Sequence, residues 1–335
     1  MKTIGRKAVS IGILLLLLCL SLIGCAKSTN NTGSSNADDA GKIVVQFGYQ
    51  PGCGQAIVAN AEGFFQQALG SDVKVELVKF QSGPPLITAI TADQLDFGLV
   101  GDQPAIQAKA NNVDIKIIGK YLSSDKVNGL IVRKDSSIKS IADLKGKKVG
   151  VTIGSTGQQL LYILLKSAGL KPSDIQQINL QPGDIVSSIT FRNIDAAVTW
   201  EPYISLTTTQ GTTTELTDAT GYKNQVSVII GRNEFLKKYP EIAVGILKAQ
   251  NEAGQWIKEH PEEARQLIAK DAGIDKSVIN SIVNKVNMFD VTLTQEDIDS
   301  IDQSIKFSVE YKLIPKEFSV NDFIDTQYLR IAGLE

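Results

Sequence analysis

From Lys42 to Arg232, short apolar runs alternate with stretches in which apolar residues recur at helical spacing. That alternation predicts strands and helices in turn, and so a mostly parallel sheet covered on both faces. Lys42 to Phe47 read as a strand, with Ile43, Val44, Val45 and Phe47 apolar. A helix follows GYQPGCGQ, from about Gln55 through Ala61 to Phe65. Val73 to Phe80 alternate as a second strand. Ser82-Gly83-Pro84-Pro85 then opens a helix, with Ser82 as its cap and proline in its first turn. Leu95 to Val100 form a buried strand that ends in Gly101-Asp102-Gln103-Pro104 and another helix. Ile115 to Tyr121 and Leu130 to Val132 are further strands.

From Ile141 the pattern restarts. In KVGVTIGSTGQQLLYILLKSAGL, Lys148 to Leu170, Val149 to Ile153 read as a buried strand and Gly154 to Gly157 as a tight loop. Gln158 to Ala168 read as a helix stopped by Gly169. The loop offers backbone N–H groups, two hydroxyls and the positive end of a helix dipole, which together hold a small anion without Lys or Arg. The same residues suit a capped strand-to-helix turn, and the loop alone leaves both readings open. Ile175 to Leu180 are a strand, Pro182 opens a helix ending near Phe191, and Ile194 to Thr199 are a strand leading into Trp200-Glu201-Pro202-Tyr203. The six threonines between Thr207 and Thr214 read as a helix end and a turn, and Val226 to Ile230 as one more strand. Beyond Arg232 the pattern is helical. Pro240 and Pro261 start helices, and Thr294-Gln295-Glu296-Asp297 resembles a capping box ahead of Ile298, Ile301 and Ile305. This segment is expected to pack back on the first lobe.

The two halves overlay loosely. Gly54-Gln55 matches Gly157-Gln158 at an offset of 103, and Leu95-Asp96 matches Ile194-Asp195 at an offset of 99. Two similar α/β lobes would each present loop-to-helix junctions at the carboxyl ends of their strands, the edge where open α/β sheets bind ligands.

The first 24 residues read as an address. Lys2, Arg6 and Lys7 precede an apolar run from Ala8 to Ile23, and Leu22-Ile23-Gly24-Cys25 matches the bacterial lipobox, in which the cysteine is acylated. Residues 25–41 are polar and small, a flexible tether holding a domain at a membrane it does not span. Cleavage would leave 31 basic against 36 acidic side chains, a net charge of −5, and no basic stripe to suit nucleic acid. Cys19 would be lost and Cys25 acylated, so only Cys53 remains and no disulfide can form within the chain.

FGYQPG at 47–52, QSGPPLITAI at 81–90, LDFGLVGDQPAI at 95–106, IADLKGKKVGVTIGSTGQQLL at 141–161 and IDAAVTWEPYI at 194–204 together resemble substrate-binding lipoproteins of ABC importers, in the aliphatic-sulfonate, taurine and nitrate group. The resemblance runs from about Lys42 to about Pro315. It implies a two-lobed, periplasmic-binding-protein-like α/β fold of type II, with a ligand cleft between lobes joined by two crossover strands. Lobe 1 would take 42–130 and 232–335, and lobe 2 would take 131–231. Matched motif by motif, the ligand-contacting positions fall on Gln50, Ser82, Gly83, Gly101, Asp102, Ser155, Thr156, Gly157, Gln158, Trp200 and Glu201. The implied partners are a small anionic ligand, ABC permease subunits and the membrane, reached through the lipid on Cys25. The chain would be a monomer on the extracytoplasmic face of the cell membrane, with neither metal nor cofactor. Cys53 departs from the family pattern; it either lines the cleft or, the favoured reading, is a small buried apolar residue.

A sulfonate stays monoanionic at physiological pH and needs only neutral donors, and no arginine falls in the matching loops. Nitrate would satisfy the same donors. A receptor for a thiamin-pyrimidine precursor could stack its ligand on Trp200 and Tyr49. A related fold serves in thiamin-pyrimidine synthesis with a His-rich site, whereas here His260 is the only histidine and no Ser–His–Asp or Cys–His set can be assembled. Asp102 and Glu201 stand at corresponding places in the two halves. They either pair with a ligand amine, as taurine would require, or charge their own helix N-termini. Because relatives that take simple alkanesulfonates carry acids in the matching motifs, the expectation is that alkanesulfonates lacking an amine are accepted.

Overall fold

The computed structural model describes residues 41–282 and 285–335. The expected leader, the acylated Cys25 and the tether as far as Ala40 lie outside the described residues. In chain order the elements of the first half are β1 (Ile43–Tyr49), α1 (Gly54–Ala61), α2 (Phe64–Leu69), β2 (Val73–Lys79), α3 (Gly83–Thr91), β3 (Phe97–Gly101), α4 (Asp102–Ala110), β4 (Ile115–Ser124) and β5 (Asn128–Arg133). There follow β6 (Lys148–Val151), α5 (Thr156–Ser167), β7 (Gln176–Asn179), α6 (Pro182–Thr190), β8 (Ala196–Trp200), α7 (Tyr203–Thr209), β9 (Thr213–Asp218) and β10 (Gln225–Arg232). The helical end comprises α8 (Asn233–Lys238), α9 (Pro240–Glu259), α10 (Pro261–Ala272), α11 (Lys276–Ile282), α12 (Gln295–Glu310) and α13 (Gln327–Ala332).

The strands sort into two five-stranded sheets, ordered β2-β1-β3-β10-β4 and β7-β6-β8-β5-β9. In each, three neighbouring strands run parallel and the fourth is antiparallel to both its neighbours. The likeness of the halves extends to side chains. Asp96 Oδ2 accepts the Gln46 N–H at 2.9 Å, and Asp195 Oδ2 accepts the Lys148 N–H at 2.9 Å. Arg232, at the end of β10, reaches Asp96 at 3.1 Å, and Arg133, at the end of β5, reaches Asp195 at 3.7 Å. Each carboxylate ties the start of a central strand to its neighbour, and each arginine anchors the antiparallel strand to the same corner.

The expected boundaries at 130/131 and 231/232 differ from this pairing. Asn128–Leu130 belong to the second sheet and β10 to the first, so the chain crosses between sheets at 125–127 and again at 219–224. The connections are short loops rather than strands. Two further differences are local. Gly63, at φ 76°, breaks the helix expected through Phe65 into α1 and α2. Part of the threonine-rich run expected as a turn pairs with β5 as β9, a setting that suits β-branched side chains.

Each sheet carries apolar layers on both faces. In the first, Phe47, Phe97 and Ile229 meet α1 and α9, while Val100, Ile117 and Val228 meet α3, α4 and α12. The C-terminal helices thus clothe the first sheet. Thr294 caps α12 in a full capping box with Asp297, whose Oδ2 also takes the buried Lys120 Nζ at 2.7 Å. Among the described residues no helix is long and apolar enough to cross a membrane.

Candidate functional site

Four helices of eight or more residues begin on one cavity between the sheets. It is lined by Cys53, which precedes α1; Gly83, the first residue of α3; Gly101, which precedes α4; and Ser155 and Thr156, at the start of α5. The reason is topological: each helix follows a strand whose carboxyl end points at the gap, so each leaves its first N–H groups there without intrahelical acceptors. A helix N-terminus stabilises a nearby anion by about 0.3–1 kcal/mol, rising to about 2 kcal/mol when partly buried. Several such ends acting together supply several kcal/mol without a buried cation. Among the described residues no lysine, arginine or histidine lines the cavity.

Of the residues expected from sequence, Gln50, Gly83, Gly101, Ser155, Thr156, Trp200 and Glu201 line this cavity together. Ser82, Asp102, Gly157 and Gln158 stand behind it. Ser82 makes no cap; its Oγ donates to Gln181 Oε1 at 2.7 Å, across to the second lobe. Gly157 is packed against Trp200 and the Val198 carbonyl. The Gln158 amide braces the loop, with Oε1 accepting the Gly154 N–H at 2.9 Å and Nε2 donating to Tyr162 at 3.0 Å. Ser155 Oγ is also engaged, donating to the Thr152 carbonyl at 2.6 Å and accepting the Gln158 N–H at 3.3 Å as the cap of α5. The Thr156 hydroxyl donates to Asn128 Oδ1 at 3.4 Å. Both hydroxyls of this turn therefore already have acceptors within the protein.

Asp102 is fully buried. Its Oδ1 accepts Gln225 Nε2 at 3.0 Å, its Oδ2 accepts the Ser304 hydroxyl at 2.5 Å, and Lys223 Nζ lies 3.4 Å from Oδ2. Burial pulls the pKa of Lys223 below the ordinary lysine value, against the opposing charge of Asp102. This carboxylate fixes Gln225, which takes a hydrogen bond from Asn128 Nδ2 at 3.2 Å, and so sets a line of amides running along the cavity wall to Thr156. Glu201 does line the cavity. Its Oε2 accepts the Ser205 N–H of the first turn of α7 at 3.0 Å, and its Oε1 accepts the Ser205 hydroxyl at 2.9 Å and Lys285 Nζ at 2.8 Å. Lys285 also pairs with Glu215 at 2.9 Å. Burial lowers the pKa of Lys285, but the two carboxylates outweigh it and leave it above the ordinary value.

Cys53 is both buried and part of the lining. Burial pushes its thiol up to about 12, so it is neutral at physiological pH and unsuited to nucleophilic attack. Tyr49 points elsewhere, donating to Asp271 at 2.8 Å, and His260 stacks on Trp256 at a ring distance of 4.7 Å, away from the cavity. Neither of the roles that would have required them has support at this site. Sequence reasoning missed Tyr121, Leu122, Val127, Asn128, Gln225 and Ser227. They arrive from the end of β4, the first crossing, the start of β5 and the start of β10. The one local signal was Gln225 and Ser227 alternating with valines in an otherwise apolar strand.

The lobes meet across this site. Gln159 Nε2 donates to Ser304 Oγ at 3.0 Å, Lys166 pairs with Glu310 at 2.6 Å, and the Thr156 methyl sits where a side chain at Gly101 would have to go. The cavity's volume is about 60 Å³.

Residues 50–264 match the model of the family described as NMT1/THI5 like. A Bacillus subtilis (strain 168) protein named for binding aliphatic sulfonates is 30% identical, over 96% of this chain and 96% of its own. The taurine-binding periplasmic protein of Escherichia coli (strain K12) is 27% identical over 74% of this chain and 78% of its own. The crystal structure of the periplasmic aliphatic sulphonate binding protein SsuA from Escherichia coli superposes with a TM-score of 0.75 at 28% identity, covering 84% of this chain and 92% of that one.

Proposed function

Because the chain belongs to the NMT1/THI5-like family, we propose that it is the extracytoplasmic capture protein of an ABC importer, taking up a small organic sulfonate and handing it to the permease without turnover. The observation that carries this reading is the convergence of four helix N-termini on a small cavity that, among the described residues, no cationic side chain lines. Backbone N–H groups suit an anion whose charge never titrates, because they hold it without a counter-ion that would itself have to be desolvated. The relatives' names point to the same ligand class. In this reading the N–H groups of Thr156 and Gly157 on one lobe, and those at Gly83 and Asp102 on the other, grip the SO3 group, and Gln50 and Trp200 shape the walls. Closure follows from contacts made to both lobes at once. The lipid on Cys25 would keep the protein at the membrane, beside its permease.

Capture without turnover is supported by the relatives' names, which are those of binding proteins. It is also supported by Cys53, which burial keeps as a neutral thiol at physiological pH. A thermal-shift screen of sulfonates, nitrate and aminopyrimidines tests the proposal. A sulfonate at a hundred times its Kd should stabilise the fold by about 2.7 kcal/mol and be recovered unchanged after incubation. Stabilisation by nitrate or a pyrimidine alone, or conversion of the ligand, would overturn it.

A further inference from the structure

The lobes also touch along a line outside the cavity. Helix α5 of the second lobe starts at the cavity with Thr156, and from Gln159 onward it runs beside α12 of the first lobe. Gln159 meets Ser304 at 3.0 Å, the Tyr162 ring lies 5.1 Å from that of Tyr311 and 6.5 Å from that of Phe307, and Lys166 reaches Glu310 at 2.6 Å. Gln159, Tyr162 and Lys166 fall on one stripe of α5, and Ser304, Phe307 and Tyr311 on one stripe of α12. The two helices therefore lie side by side over about two turns, roughly 10 Å. Tyr162 is steadied from its own side, its hydroxyl accepting from Gln158 at 3.0 Å and donating to Gln177 at 3.2 Å.

This seam is built to part. The apolar anchors of the two helices belong to different cores: Leu160, Leu161, Leu164 and Leu165 pack in the second lobe, and Ile301 and Ile305 in the first. What crosses is an amide–hydroxyl pair, a cluster of rings of which two carry hydroxyls, and an ion pair whose side chains are 63% and 52% exposed. Surfaces of that kind tolerate water when they separate. Gln159 adds a penalty to closure, because its Oε1 is buried and accepts no hydrogen bond among the described residues, and water satisfies it once the lobes part. Attraction and penalty on one seam bring the open and closed arrangements close in free energy. We propose that the α5–α12 seam is a latch that holds part of the free protein closed before any ligand arrives, and so sets affinity from outside the cavity. It acts on the anion site through α5 itself, since closing the seam carries the Thr156 end of that helix up to Gly101. The inference does not depend on which anion is bound.

The test is single-molecule energy transfer in the full chain without ligand, between a dye at exposed Gln67 on α2 of the first lobe and one at exposed Asp184 on α6 of the second. The wild type should show two separations in exchange. Tyr311→Ala, which takes a ring away from Tyr162, should lower the closed-to-open ratio about two- to tenfold. Glu310→Lys should lower it about two- to fivefold, and adding Lys166→Glu should restore it. Glu310 is exposed, so this charge reversal carries the test should Tyr311→Ala melt early. In a titration with an alkanesulfonate, affinity should weaken in step with the closed fraction. A single separation in the free wild type, or a ratio moved by neither Tyr311→Ala nor Glu310→Lys, would overturn the latch whether or not a sulfonate binds. A ratio shifted as expected with no sulfonate bound would overturn the sulfonate reading alone.

Discussion

Gly101→Ala separates the closing of the lobes from the integrity of each. Gly101 has φ −66° and ψ 161°, a conformation open to any residue, so alanine costs no backbone strain. The new Cβ would collide with Thr156 Cγ2, which belongs to the other lobe, while the next nearest atoms, Thr156 Cβ and Gln225 Nε2, lie at an ordinary 3.6 Å. One methyl forced into such a contact costs about 1–3 kcal/mol. That cost falls on the arrangement in which α5 reaches Gly101, and hinge opening would relieve it. A ligand held by both lobes should therefore bind about five- to 150-fold more weakly. Thr156→Ser removes the offending methyl and keeps the hydroxyl, so the double variant should recover most of the affinity, with a coupling energy of about 1–3 kcal/mol between the two sites. Calorimetry with an alkanesulfonate measures the affinities, and a thermal melt of the free protein checks that Gly101→Ala leaves the fold intact. Wild-type affinity for Gly101→Ala, or a double variant no better than the single, would refute the idea that these two residues set the closest approach of the lobes.

Other consequences follow from the buried charges. Asp102→Asn removes the carboxylate beside the buried Lys223 and should cost about 3–5 kcal/mol of stability. Lys223 already has its folded pKa below the unfolded value, so stability rises as pH climbs from the folded pKa toward the unfolded one. The loss in Asp102→Asn should accordingly shrink between neutral pH and about pH 10, as followed by denaturant melts; a loss that ignores pH would count against a charged Lys223 as its cause. For Cys53, with a folded pKa near 12, reaction with a thiol reagent at pH 8 should run roughly a thousandfold or more slower than for a free thiol. Its contribution to stability is complete below the unfolded value near 9 and is lost as pH rises toward about 12. Rapid labelling of the native protein at pH 8 would contradict a buried neutral thiol.

Much of this architecture is legible along the chain because it is local. The period of apolar residues marks the central strands, and Gly154 to Gly157 mark the α5 turn, because a strand, a turn and a helix start each depend on residues within a few positions of one another. The matched pair Asp96 and Asp195 is visible as a repeat for the same reason. What the chain could not disclose by itself is where distant segments meet. The return of β10 to the first sheet brings Gln225 and Ser227 to the cavity, and its antiparallel pairing with β3 and β4 is a long-range choice made by burial. The roles of hydroxyls and carboxylates were also undecided in sequence. Ser155 and Thr156 look like ligand donors until Thr152 and Asn128 are seen to take their hydrogens. Asp102 looks like a helix charge until Ser304 and Lys223 close over it from segments far along the chain. A polar side chain's chemistry depends on which partners fill its few hydrogen-bonding positions, and only the tertiary fold supplies those partners.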